Sequence, residues 1–174
     1  MPKIIENAQQ MILQEARRQV TERGYSAMTM KSVAAACGLA VGTLYNYYPS
    51  KDVLVASFML EDWQACLARM AVRLEKAEAP RELLAAVHEG LFAFIREHAP
   101  LFSDPGAGKS SAAGFPARHQ LLRGQLAAML AAPVRRLSPG APSFLPDFLA
   151  ESLLSWAGTD TEFETLCRVM TRLF

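Results

Sequence analysis

Alternation of apolar and polar residues, the mark of a half-buried strand, is missing from this chain of 174 residues, so a sheet has no support and an all-α fold is expected. No apolar run approaches the roughly eighteen residues that a membrane span needs. The first residues also lack the basic start and small-residue cleavage site of a secretory leader, and a cytoplasmic protein is expected. Cysteine is scarce: Cys37, Cys66 and Cys167 are an odd, scattered set. Their spacing suits neither a disulfide framework nor a metal site, so they read as reduced buried thiols, with a redox sensor as the alternative. His88, His98 and His119 stand beside no partnered nucleophile and have no metal-ligand spacing. No catalytic constellation, cofactor or metal is therefore expected, and the chain does not read as an enzyme. Charge is sparse too, with 20% charged residues and a net charge of +1, too little to advertise a nucleic-acid partner by itself.

What is present is apolar. A hydrophobic fraction of 51% and a mean hydropathy of +0.11 are high for a soluble monomer, and a homodimer that buries apolar surface is the simplest explanation. The charge is also unevenly spread. Residues 1–51 hold Lys3, Arg17, Arg18, Arg23, Lys31 and Lys51 against Glu6, Glu15 and Glu22, while the remainder is slightly acidic. A basic excess in one part is what phosphate contact requires, although a solvated surface would look the same. The length allows two cores, and the chain divides into a domain over 1–51 and a helical domain over 52–174.

The stretch Met28 to Lys51, MTMKSVAAACGLAVGTLYNYYPSK, reads as two short helices meeting at a glycine turn. Thr29 is a good N-cap for the first, and Val33, Ala34 and Cys37 give it a buried stripe. Gly38 stands where a left-handed C-cap is needed, because glycine takes positive φ without a Cβ penalty. The second helix runs from about Ala40 to Tyr47. Leu39, Leu44 and Tyr48 face inward; Val41, Gly42, Thr43, Tyr45 and Asn46 are left for its outer side and leading end. Pro49 ends it, and Ser50 can cap the next helix.

Glu22-Arg23-Gly24-Tyr25, Thr29, Val33-Ala34, Gly38, Gly42-Thr43-Leu44-Tyr45, Tyr47-Tyr48 and Pro49-Ser50-Lys51 together resemble the DNA-binding domain of the TetR family of transcriptional regulators. The resemblance covers roughly the first third of the chain, and its force lies in many spaced positions agreeing at once. It implies a three-helix helix-turn-helix domain followed by a helical-bundle domain that binds an effector and dimerises. It further implies a repressor that holds a palindromic double-stranded operator as a homodimer and releases it when a small molecule binds.

Thr43 and Tyr45 carry hydroxyls that can bond phosphate oxygens or base edges, and Asn46 is either a base contact or a solvated side chain. By the resemblance, Tyr47 and Lys51 hold the DNA backbone and Lys31 reaches a base or phosphate; Thr29 and Gly42 belong to the same DNA-facing set. Two positions depart from the family pattern. Ala40 replaces a capping Ser or Thr, and Val41 stands where a polar or basic residue often meets DNA.

The first helix is expected from near Ile4 to Arg23 and is ended by Gly24, with Ile5, Ala8, Ile12, Ala16 and Val20 on one face. A long helix from Lys51 to about Lys76 carries Leu60, Trp63, Leu67, Met70 and Leu74 and links the domains. Pro80 opens another, with Leu84, Val87, His88, Leu91 and Ile95 buried, up to Pro100. Ser103 to Pro116 reads as a mobile loop. Ala117 to Leu130 is helical, and Pro133 should kink or end that helix. Ser143 can cap a helix from Phe144 to Trp156, and Thr161 with Glu164 has capping-box spacing for a last helix to Phe174. Phe148, Leu149, Leu153, Trp156, Phe163, Leu166, Met170 and Leu173 on these two helices are assigned to a four-helix dimer interface, ordinary core being the alternative. Candidate effector contacts are Trp63, Cys66, Met70, His88, Phe92 and Met129, and a mostly apolar effector is expected because no charged cluster converges there.

One competing motif remains. Ser103 to Ser110, SDPGAGKS, nearly spells a phosphate-binding P-loop but lacks the first glycine, and it follows a helix where a strand is required. A helical protein-interaction module and a P-loop nucleotide hydrolase thus stand behind the ligand-responsive regulator as alternatives.

Overall fold

The computed structural model describes residues 7–107, 115–159 and 161–174. Among these residues the regular elements are all helical. In order they are α1 (Ala8–Arg23), α2 (Met30–Ala36), α3 (Val41–Tyr47), α4 (Lys51–Lys76), α5 (Pro80–Glu97), α6 (Ala99–Phe102), α7 (Phe115–Leu137), α8 (Leu145–Trp156) and α9 (Phe163–Met170), with a final 3-10 turn at Thr171–Leu173. Two compact units form: Met1–Trp63 with Glu97–Ala112, and Gln64–Arg96 with Ala113–Phe174. The division falls inside α4 at Trp63, and the chain returns to the first unit at the end of α5.

The first unit is a single apolar core. Ile12, Leu13, Ala16 and Val20 of α1 meet Met30, Val33 and Ala34 of α2, Leu44 of α3, and Leu54, Val55 and Phe58 of α4. Burying a leucine or phenylalanine fully is worth about 1.5–3 kcal/mol, so these side chains dominate the unit's stability. Leu101 of α6 joins the same core. This short helix is distinct from α5, which was expected to run up to Pro100; Pro100 lies in the first turn of α6 and starts it rather than ending α5. The Asp62 carboxylate of α4 then ties the pieces together. It takes Arg17 Nε at 3.0 Å and Arg17 Nη2 at 2.7 Å, while Nε2 of the buried His98 lies 3.0 Å away.

The second unit buries Met70 and Leu74 of α4, Leu83, Leu84, Val87 and Leu91 of α5, Leu126, Leu130 and Val134 of α7, Leu149 and Leu153 of α8, and Leu166 and Met170 of α9. Several sequence expectations change here. Helix α7 starts at Phe115 and continues through Pro133 to Leu137, where a kink or stop was expected. Buried Leu130 and Val134 on either side of the proline hold the helix despite the missing N–H. Arg136 fixes its last turn by donating to the carbonyl oxygens of Glu75 at 2.9 Å, Leu74 at 2.9 Å and Ala77 at 2.7 Å. Ser143 makes no cap, because α8 begins at Leu145 behind Phe144. The Thr161–Glu164 capping box also fails to form. Thr161 pairs with Thr159, and Glu164 turns to Arg81 of α5 at 2.6 Å.

Candidate nucleic-acid interface

Helices α2 and α3 owe their geometry to two local devices. Thr29 caps α2, its side chain accepting from Ser32 N at 3.0 Å, and Ser32 Oγ returns the favour from Thr29 N at 3.1 Å. This is a reciprocal capping box built on Ser32, a partner the sequence reading missed. Ser32 Oγ also donates to Gln19 at 2.6 Å, which joins the box to α1 through one of the few buried polar side chains. At the other end Gly38 takes φ 66°. Its N–H bonds Ala35 O at 3.2 Å and the N–H of Leu39 bonds Ala34 O at 2.8 Å, the paired pattern that closes a helix through a left-handed residue. Ala40 leads α3 without any side-chain cap. Ser50 does cap α4, accepting from Val53 N at 3.2 Å.

Helix α3 buries only Leu44, and Tyr48 just beyond it is buried as well. Most of the other residues of α3 are open to a partner. Tyr45 is 47% exposed and Tyr47 37%; Gly42 and Asn46 are exposed and Thr43 is half-buried. Thr29 and Lys31 of the α2 start are exposed too. Val41 differs from its expected outward placement: it is half-buried and packs against the first unit's core, which gives this valine an apolar reason to replace a polar residue. Lys51 is half-buried, with Nζ 4.0 Å from the centre of the Tyr25 ring. Burial pushes its pKa down, while Asp104 and Asp52 pull it back up.

The effector candidates are not brought together as one set. Cys66 and Met70 line an open groove of about 290 Å³ between α4 and α5 with Arg69, Arg73, Ala86, Glu89, Gly90 and Ala93, and the Cys66 thiol bonds Gly90 O at 3.3 Å. His88 instead leans on Phe163, ring centroids 5.0 Å apart, and stacks with Phe92 at 6.3 Å. Phe92 is exposed, Met129 is half-buried and Trp63 falls in the first unit. The groove also carries the charges that the sequence reading did not foresee. Arg73 pairs with Glu89 there at 2.7 Å, and this argues against a wholly apolar lining.

Of the interface candidates, Leu149, Leu153, Leu166 and Met170 are buried within their own chain. Phe148, Trp156 and Leu173 remain exposed, and Phe163 is half-buried beneath the Arg81 guanidinium at 5.4 Å. The near-P-loop is also placed in part. Ser103 to Ala107 turns back onto the first unit, with Ala107 packed on its core, so this half is not the mobile loop expected. Gly108, Lys109 and Ser110 lie outside the described residues.

Residues 12–58 match the model of bacterial regulatory proteins of the tetR family, the same residues that build the α1–α4 core. The HTH-type transcriptional regulator UidR of Escherichia coli (strain K12) is 34% identical over 64 residues, which are 37% of this chain and 33% of UidR. The matched segment thus spans about one third of that relative's length. Over the whole chain the fold is shared with Salmonella enterica GusR, with a TM-score of 0.65 at 20% identity, covering 98% of each chain. It is also shared with RolR in complex with the ligand resorcinol, with a TM-score of 0.65 at 18% identity, covering 96% of this chain and 87% of RolR. A capped α2, a left-handed turn and an outward α3, followed by a helical unit, agree with these matches: residues 12–58 form a domain similar to that of the tetR family of bacterial regulatory proteins, and the whole chain shares the fold of these solved structures.

Proposed function

We propose that this chain is a transcriptional regulator that binds double-stranded DNA as a homodimer, represses from a palindromic operator, and lets go when a small effector binds its helical unit. The observation that carries the reading is the outer side of α3. A helix that buries one leucine and turns Tyr45, Asn46 and Tyr47 outward is held for an external partner, and the major groove admits an α-helix. In this reading residues 1–51 hold the DNA-facing parts. Thr43, Tyr45 and Asn46 meet base edges or phosphates; Tyr47, Lys31 and Lys51 hold the backbone; Thr29 and Gly42 lie at the leading ends of the two helices. Val41 contributes packing.

Two features support the dimer. Leu121 on α7, Phe148 on α8 and Phe144 just before α8 are exposed, and Gly124, one turn from Leu121 in the interior of α7, has nothing within 4 Å of where its Cβ would be. A glycine inside a helix costs about 1 kcal/mol relative to alanine, and this chain alone gives no packing reason for it. A second copy whose helix comes close does. The interface is then built from α7 and α8 rather than from the last two helices.

The effector is assigned to the second unit. The α4–α5 groove offers an apolar floor of Met70, Ala86 and Ala93 with an arginine rim, and RolR, which shares the fold, was solved with resorcinol bound. A small molecule with an apolar body and a polar group suits that lining better than a purely apolar one.

The test is selection of genomic fragments on the immobilised protein, followed by gel-shift titration at fixed salt. A recovered inverted repeat, bound with an affinity that falls steeply as salt rises, is expected. Tyr45→Ala and Lys51→Ala should each weaken binding at least tenfold while the thermal melt stays unchanged. Recovery of no preferred sequence, or full binding by both variants, removes α3 from any reading role.

A further inference from the structure

The turn between α1 and α2 is gripped from an unexpected place. Asp104, just beyond α6, accepts the backbone N–H of Ser26 at 2.7 Å, the Ser26 hydroxyl and the N–H of Gly106 at 2.8 Å. These bonds hold its carboxyl at a pKa of about 2, those from Ser26 first among them. Gly24 takes φ 83° in the same turn, and a Cβ there would come 3.1 Å from Asp104 Oδ2. The turn is therefore held at Ser26, directly after Tyr25, and Gly24 before it leaves room for the Asp104 carboxylate. Tyr25 in turn reaches α4: its hydroxyl bonds the Asp52 carboxylate, and its ring lies under the Lys51 ammonium.

A lysine on a flexible four-carbon stem loses much rotamer freedom when it settles on a phosphate. An aromatic face that already holds the ammonium removes part of that loss, because the ring quadrupole attracts the cation and leaves its other side open to an anion. We infer that Tyr25 is a positioning residue for DNA binding, holding Lys51 over its ring for a backbone phosphate, with Asp104 fixing the turn from which Tyr25 projects. The inference rests on the reading in which Lys51 touches DNA.

The test uses the full chain and a labelled mixed-sequence duplex, since a phosphate contact is independent of sequence. Tyr25→Leu should weaken binding about fivefold and change the slope of log affinity against log salt by less than the roughly 1 unit that losing the whole contact in Lys51→Ala should cost. Tyr25→Phe, which keeps the ring, should bind as the parent does. In a Lys51→Ala background Tyr25→Leu should add nothing. An equal loss with and without Lys51, or a Phe variant as weak as the Leu variant, overturns the positioning role. Full affinity and an unchanged slope for Lys51→Ala alone would instead remove the phosphate contact itself, and the two failures are thereby told apart. If Tyr25→Leu does not fold, the NMR signals of the Lys51 ε-methylene decide. An upfield ring-current shift in the parent chain, identified by its disappearance in Lys51→Arg, is expected, and shifts like those of a solvated lysine overturn the contact.

Discussion

A missing Cβ has two separate uses in this chain, and one substitution distinguishes them. Gly38 occupies positive φ in open space, with nothing within 4 Å of an added Cβ, so Gly38→Ala costs only backbone strain, about 1–2 kcal/mol. Gly90 is different. A Cβ there would lie 2.5 Å from Met70 Cγ and 2.6 Å from its sulfur, so Gly90→Ala overpacks the α4–α5 contact and costs about 1–3 kcal/mol. Urea unfolding checks both. The loss at Gly90 should shrink in a Met70→Ala background while the loss at Gly38 stays the same; equal losses in both backgrounds would show that Met70 is not what Gly90 makes room for. Asp104 supplies a pH dependence at the same scale. Its folded carboxyl, at about 2, lies below the ordinary value of 3.8, so its contribution is complete above about pH 4 and fades as pH falls from there toward 2. The stability gap between the parent and Asp104→Asn should close over that interval in acid titrations followed by circular dichroism. A gap that is constant down to pH 2 would deny the depressed carboxyl.

At the scale of elements, legibility followed how local the cause was. The α2–turn–α3 unit could be read because its determinants lie within a few residues: Thr29 caps, Gly38 reverses, Leu44 buries and Pro49 stops. The Thr29 cap should be worth about 1 kcal/mol, and Thr29→Ala should lower the unfolding free energy by that amount in urea titrations; no change would show that Ser32 and Gln19 hold the helix start without it. Elsewhere tertiary contacts decided. Thr161 and Glu164 have capping-box spacing, yet Glu164 lies beside Arg81, a residue far away in sequence. Pro133 carries a stop signal, but Leu130, Val134 and the Arg136 clamp on the end of α4 keep α7 running. Arg136→Met leaves three carbonyls of that end without their charged donor, and a loss of about 2 kcal/mol in chemical unfolding is expected. The candidate site divides the same way. The outward side of α3 was visible from helical spacing. The inward lean of Val41 and the Asp104 grip on Ser26 were not, since both depend on which distant segment packs there. The interface assignment meets a related limit: periodicity marks an apolar face without saying whether the chain's own core or a second copy covers it.

At the scale of the whole molecule, the proposed dimer would cover part of an apolar fraction of 51%, and that proposal puts the second copy on the exposed sides of α7 and α8. Polar contacts bind these two helices to each other, His119 Nε2 lying 3.1 Å from a Glu151 carboxylate oxygen and Arg123 pairing with Asp147 at 3.5 Å. In the proposed dimer the exposed Leu121, Phe144 and Phe148 would supply the apolar contact, and Gly124 would let a symmetry mate approach to within the usual helix-packing distance or less. The substitutions then act in opposite directions on the two states. Gly124→Ala should stabilise an isolated chain by about 1 kcal/mol through helix propensity. Gly124→Leu and Phe148→Glu should break the dimer, the first by bulk and the second by burying a charge. Sedimentation velocity over a concentration series should show a dimer for the parent and monomers for the last two, which still melt cooperatively. The monomers should also lose preference for an inverted repeat over a single half-site, because two linked reading helices multiply the discrimination of one. A dimer that survives both substitutions with an unchanged dissociation constant would place the partner on another face, and the glycine in α7 would then have no packing explanation.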